Sequence, residues 1–134
     1  MKKFRFVFLG MTILLCVIVT ACYGRTASSI TDELVPENIT NVELSLARGG
    51  VVESRMLTQT EIEELSAWVS QLSLTHRSFQ KGEAPGDGNG QTIYTFSFNN
   101  DAMSFVWVDT GKKHYILYKD EWYETKNTSE PPFD

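Results

Sequence analysis

Alternation with a period of two marks the strands of this chain. Val42-Glu43-Leu44-Ser45-Leu46 switches between apolar and polar residues, as a half-buried strand does. Arg48-Gly49-Gly50 is a turn signal, and Val51 to Leu57 can return as the second strand of a hairpin. The period then changes. Ile62, Leu65, Trp68, Val69 and Leu72 recur at helical spacing on one face. Thr58 and Thr60 are both candidate N-caps, each with a glutamate three residues on (Glu61, Glu63), the capping-box pattern. Leu74 to Phe79 reads as a short extended segment. Gln80 to Gly90 carries four glycines and one proline and reads as a long loop. The closing strands fall at about Gln91–Phe98, Ala102–Val108, Lys113–Lys119 and Trp122–Lys126, with turns at 99–101, 109–112 and 120–121. Links this short dictate antiparallel neighbours.

These elements predict an α+β fold. An N-terminal β-hairpin leads to one amphipathic helix, then a three- or four-stranded antiparallel meander packed on that helix. A turn at Asn100-Asp101 sets Phe98 opposite Met103, Phe96 opposite Phe105 and Tyr94 opposite Trp107. That aromatic face is assigned to the core. A four-residue turn at 109–112 pairs Phe105 with Ile116 and Val106 with Tyr115. Val106, Val108, Tyr115 and Leu117 then share the second face, where Trp122 joins them from across Lys119. An apolar patch on the far side of a one-layer sheet needs cover. The cover is either the chain itself (residues before the hairpin, the 80–90 loop or the C-terminal tail) or a partner. Tyr115, Leu117, Trp122 and Val106 are the candidate binding patch, because aromatic residues dominate interface hot spots.

The N-terminus changes the picture of where such a domain works. Lys2, Lys3 and Arg5 precede an uncharged, almost wholly apolar run from Phe6 to Val19. That run is shorter than the ~20 residues of a spanning helix and suits the core of a signal peptide. Val19-Thr20-Ala21-Cys22 follows. Here the chain resembles the bacterial lipoprotein family, whose lipobox has an aliphatic residue, two small residues and a cysteine. The resemblance implies removal of residues 1–21, diacylglycerol with palmitate-type chains on Cys22, and anchoring on the extracytoplasmic face of the cell membrane. Two acyl chains anchor stably where one binds reversibly. The domain divisions expected are 1–21 signal peptide, 22–40 lipidated cysteine and tether, 41–127 single domain, and 128–134 extended tail. Ile30, Leu34 and Val35 leave a second possibility open, that the tether docks on the domain. From its lone helix and aromatic meander, ending in Asp120-Glu121-Trp122-Tyr123-Glu124-Thr125-Lys126-Asn127, the mature region also resembles small lipoprotein domains of Gram-positive bacteria. That likeness implies no activity.

Composition then narrows the chemistry. Loss of Lys2, Lys3 and Arg5, with no acid among residues 1–21, takes the net charge from −5 to −8. An acidic domain without a Lys/Arg cluster disfavours nucleic acid as a partner. Cys16 lies in the removed segment and Cys22 is modified, so the mature domain has no thiol and no disulfide. Cysteine nucleophiles and cysteine-ligated zinc are excluded, and no cofactor is implied.

His76 and His114 share no ligand spacing, and no metal site is assigned. Asp87-Gly88-Asn89-Gly90 begins like a calcium loop. The frame then puts Thr92 where glycine is needed and Phe98 where a bidentate glutamate is needed. No nucleophile elbow, phosphate loop or dinucleotide fingerprint occurs. Glu63/Glu64 and Asp120/Glu121 read as solvated, and no catalytic residue is assigned. The expected function is a membrane-anchored binding or protein-interaction module with a protein or cell-envelope partner. The alternatives are a small hydrolase of envelope polymers and a ligand or metal sensor.

Overall fold

Thr58, and not Thr60, caps the helix. Its hydroxyl accepts from the Glu61 N–H at 3.3 Å, while the Glu61 carboxylate accepts from the Thr58 N–H at 2.8 Å. The computed structural model in which this is seen describes residues 28–86, 90–126 and 130–134. In chain order the elements are α1 (Ser28–Glu33), β1 (Val42–Arg48), β2 (Val51–Met56), α2 (Gln59–Ser70), β3 (Leu74–Arg77), β4 (Thr92–Phe98), β5 (Met103–Asp109), β6 (His114–Tyr118) and β7 (Glu121–Thr125).

All seven strands join one antiparallel sheet in the order β2-β1-β4-β5-β6-β7-β3. This corrects the expected α+β arrangement of hairpin, helix and short meander. Among the described residues the protein is β-rich, one seven-stranded sheet with two short helices. The difference comes from two long-range pairings. β1 pairs along its whole length with β4, so the hairpin is part of the sheet. The Leu74–Arg77 segment is a strand on β7, with Leu74 opposite Thr125. Neither pairing has a short link to announce it.

The Phe98/Met103, Phe96/Phe105 and Tyr94/Trp107 pairs are present, and all but Met103 are buried. Farther along, the register corrects the expected one. Ile116 lies opposite Trp107, and Tyr115 opposite Val108. A shift of two residues keeps each side chain on its expected face, since the side-chain period is two. The next turn is Lys119-Asp120, so Leu117 lies opposite Trp122. Both turn residues have left-handed backbone, φ 49° and 60°. That is the pattern of a two-residue turn whose twist suits the flanking strands.

The first face of the sheet is the core. Phe96, Phe105, Trp107 and Ile116 are essentially inaccessible and belong to one cluster with Ile62, Leu65, Trp68 and Val69 of α2. The Trp68 ring lies 6.3 Å from that of Phe96 and 6.4 Å from that of Trp107.

Residues 28–40 are docked on this core. Leu34 is fully buried, and the main-chain carbonyl of Glu33 accepts from the Tyr118 hydroxyl at 3.3 Å. The β4–β5 turn clamps the rest. The Asn99 side chain accepts from the Thr40 N–H at 2.7 Å and donates to the Asn38 carbonyl at 2.7 Å. At the other terminus Phe133 is buried against Phe96, with ring centroids 6.0 Å apart.

Candidate functional site

The second face carries the residues singled out from the sequence. Val106 is opposite Leu117, and Leu117 is opposite Trp122. Tyr115 lies beside them on β6, opposite Val108. Val106, Tyr115, Leu117 and Trp122 are half-buried, whereas Val108 is buried.

The chain supplies part of the cover. Phe79, two residues past β3, meets the Tyr115 ring edge-on at 5.8 Å and the Trp122 ring at 6.1 Å. Tyr115 and Trp122 are themselves 6.5 Å apart and nearly perpendicular. Three mutually edge-on rings hold one another without filling the surface in front of them. Their polar border is an ion network. Glu124, opposite Tyr115, accepts from Arg77 at 2.8 Å and lies 3.2 Å from Lys113. The Arg77 hydrogen bond first, then Lys113, holds the Glu124 carboxyl below the usual carboxylate range.

Two shallow depressions flank this cluster. One, of about 370 Å³, runs beside Phe79 and Trp122 and is bordered by Arg77, Lys81 and Glu83. The other, of about 350 Å³, lies over Val106 and Leu117, with Ser104, Lys119 and Asp120 at its rim. Apolar floors with a rim of both charge signs suit contact with an extended ligand or a protein surface.

His114 Nε2 is 3.4 Å from Asp109, and the imidazole stacks on Trp107. His76 Nε2 is 3.8 Å from Glu121, at the β3 edge of the sheet. Among the described residues no three His, Cys, Asp or Glu side chains converge on a point where a metal could sit. Glu63, Glu64, Asp120 and Glu121 are exposed. Cys22, residues 1–21 with the expected signal peptide, and Asp87–Asn89 of the calcium-like sequence lie outside the described residues. No helix among the described residues is long and apolar enough to cross a membrane.

Phe79, Arg77 and Glu124 escaped the sequence reading. Phe79 and Arg77 reach the patch through the β3–β7 pairing, for which the only local signal was the extended character of Leu74 to Phe79, whereas Glu124 lies opposite Tyr115 in the β6–β7 hairpin.

The fold and this face define a small single-sheet β protein with one covered and one partly open side. No family model, no curated protein and no solved structure matches the chain.

Proposed function

We propose that the chain is a bacterial lipoprotein, anchored through Cys22 on the extracytoplasmic face of the cell membrane, whose sheet presents a binding module. The anchor rests on the basic start, the apolar run Phe6–Val19 and the lipobox Val19-Thr20-Ala21-Cys22. The observation that carries the binding role is the half-buried ring cluster of Phe79, Tyr115 and Trp122 on the open face of the sheet. Its partner is a protein or polymer of the cell envelope.

With Ile30 and Leu34 packed on the core face, an anchor at Cys22 would keep the whole sheet close to the membrane. Residues 22–28 can reach at most ~20 Å, taking ~3.4 Å per extended residue. Hydrolysis of an envelope polymer fits less well. A general acid needs a carboxyl held protonated, whereas Glu124, the carboxyl at the ring cluster, is held ionised by Arg77 and Lys113.

The test is a photoreactive residue at position 115 of the full chain in intact membranes. One reproducible cross-linked species is expected, and Trp122→Ala should abolish it while the sheet stays folded by circular dichroism at the labelling temperature. Capture that persists undiminished in Trp122→Ala would show that this face is not the site.

A further inference from the structure

The sheet has two edges, and β2 is the unusual one. All six of its residues are exposed, including Val51, Val52 and Met56, each more than half accessible. An edge strand of this length is a template for another strand unless something blocks it. Nothing among the described residues covers it, and its two charges, Glu53 and Arg55, are of opposite sign.

The hydrogen-bonding direction of β2 can be fixed. The Leu57 N–H donates to the Val42 carbonyl at 2.9 Å, and these residues lie opposite each other in the β1–β2 register. Main-chain groups alternate in direction along a strand. Val51, Glu53 and Arg55 therefore bond β1, while Val52, Ser54 and Met56 turn their N–H and C=O groups outward.

We infer that β2 pairs antiparallel with β2 of a second copy of this chain, about a two-fold axis at Ser54. In this register Ser54 faces Ser54, Val52 faces Met56, and Glu53 faces Arg55, the last two twice each. Only outward-facing residues are asked to bond, giving about six main-chain hydrogen bonds. Shifting the axis to residue 53 sets Glu53 against Glu53. Shifting it to residue 55 sets Arg55 against Arg55. Like charges directly opposite are destabilising, and axes at Val52 or Met56, though allowed by parity, would leave most of β2 unpaired, so parity, charge and strand length together select the register centred on Ser54. A parallel in-register pair would again oppose Glu53 to Glu53.

Arg55 already donates to Glu61 at 2.8 and 3.0 Å through its two Nη atoms. A guanidinium has five N–H donors, which leaves some for Glu53 of the second copy. Asp134, beside the same shallow cavity as Glu53 and Arg55, adds a further negative charge there. Faces are preserved across a strand pair, so the two ring clusters would lie on the same side of one continuous sheet. The pairing does not depend on what the ring cluster binds.

Disulfide trapping in the full chain tests it, with Cys16 and Cys22 common to every arm. Opposed residues in such a pair have Cα atoms about 4.5–5.5 Å apart, within disulfide reach. Ser54→Cys should give a covalent dimer on mild oxidation. Glu53→Cys and Arg55→Cys chains should cross-link when mixed and not alone, because each is ~7–8 Å or more from its own copy. Ser70→Cys, exposed on α2, sets the collision background. Adding Ser54→Pro to the mixed pair should return its yield to that background, because this N–H points outward and β1 pairing survives. Glu53→Arg should lower the Ser54→Cys dimer yield roughly tenfold by opposing arginines. Ser54→Cys yields no higher than Ser70→Cys, or Glu53→Cys alone cross-linking as well as the mixture, would overturn the proposal.

Discussion

The Tyr94 hydroxyl donates to the main-chain carbonyl of Phe133 at 3.2 Å and accepts from Arg48 at 3.3 Å. This bond crosses from the middle of the sheet to the last turn of the chain, so the C-terminus is part of the core. Phe133→Ala should cost about 3 kcal/mol, as for other large aromatic truncations in cores. Tyr94→Phe should cost about 1 kcal/mol, the net worth of one hydrogen bond. Urea denaturation of both variants measures this. A Phe133→Ala midpoint equal to that of the parent would show that the tail does not contribute.

The same tyrosine sets an alkaline limit. Burial pushes the Tyr94 phenol above its usual value, with Arg48 opposing in part. A group whose pKa is raised by folding contributes stability that is present below its unfolded value, near 10. That contribution is lost as pH rises through the folded value. Stability of the parent should therefore fall above about pH 10, and Tyr94→Phe should remove part of that fall. Melting curves between pH 9 and 11 would decide, and superimposable alkaline limbs would count against it.

Acid acts elsewhere. Hydrogen bonds from Arg55 first, and from the Thr58 N–H, hold the Glu61 carboxyl down to about 2. Its folded pKa lies below its unfolded one, so its stabilising contribution is present above about pH 4.5. It is lost as pH falls toward 2. Glu61 is solvent-accessible, so the effect is screened by salt. Glu61→Gln should flatten the acid limb between pH 4.5 and 2 and weaken the start of α2. Circular dichroism against pH at low salt is the measurement, and an unchanged acid limb in Glu61→Gln would contradict this account.

Local signals carried much of this molecule. A period-two run located β1, turn signals located β2 and β4–β7, and the capping box with the stripe from Ile62 to Leu72 located α2. Even the side-chain faces were legible, because a register error of two residues leaves Tyr115 and Leu117 facing the same way. What was not legible was partnership across long stretches of chain. Nothing within Val42–Arg48 states that it will pair with Thr92–Phe98, and nothing in Leu74–Arg77 names Trp122 as its neighbour. The second-face patch was therefore readable for the residues on β5, β6 and β7, and unreadable for Phe79 and Arg77. Leu34 marks the boundary of that limit: Ile30, Leu34 and Val35 allowed a docked segment, but only the structure shows Leu34 fully buried.

Turn geometry gives a stabilising substitution. Asp120 has φ 60° as the second residue of the β6–β7 turn, a left-handed conformation that carries a penalty for a side chain. Glycine adopts it freely and is the preferred residue there. Asp120→Gly should raise stability by about 0.5–1 kcal/mol, and it leaves the Lys119–Glu33 ion pair at 3.2 Å in place. A lower urea midpoint in Asp120→Gly would show that Asp120 makes a contribution that outweighs its backbone strain.

A lipid anchor would be carried by the segment ahead of α1. If Cys22 is the modified residue, full chain expressed in a bacterium should incorporate an alkyne-tagged palmitate. Cys22→Ser should abolish incorporation and leave the uncleaved precursor in place. Cys16→Ser, inside the apolar run, should be labelled like the parent, which separates modification at the lipobox from acylation of any available thiol. Because the chain is packed on the core from Ile30 onward, a six-residue insertion after Gly24 should leave urea stability unchanged. It should also lengthen the reach to the membrane by ~20 Å. Energy transfer from a fluorophore at the exposed Asp32 to a lipid-surface acceptor would report that change. Equal labelling of Cys22→Ser and parent would sink the anchor. Unchanged transfer after the insertion would show that the sheet is held at the membrane by something other than its N-terminus.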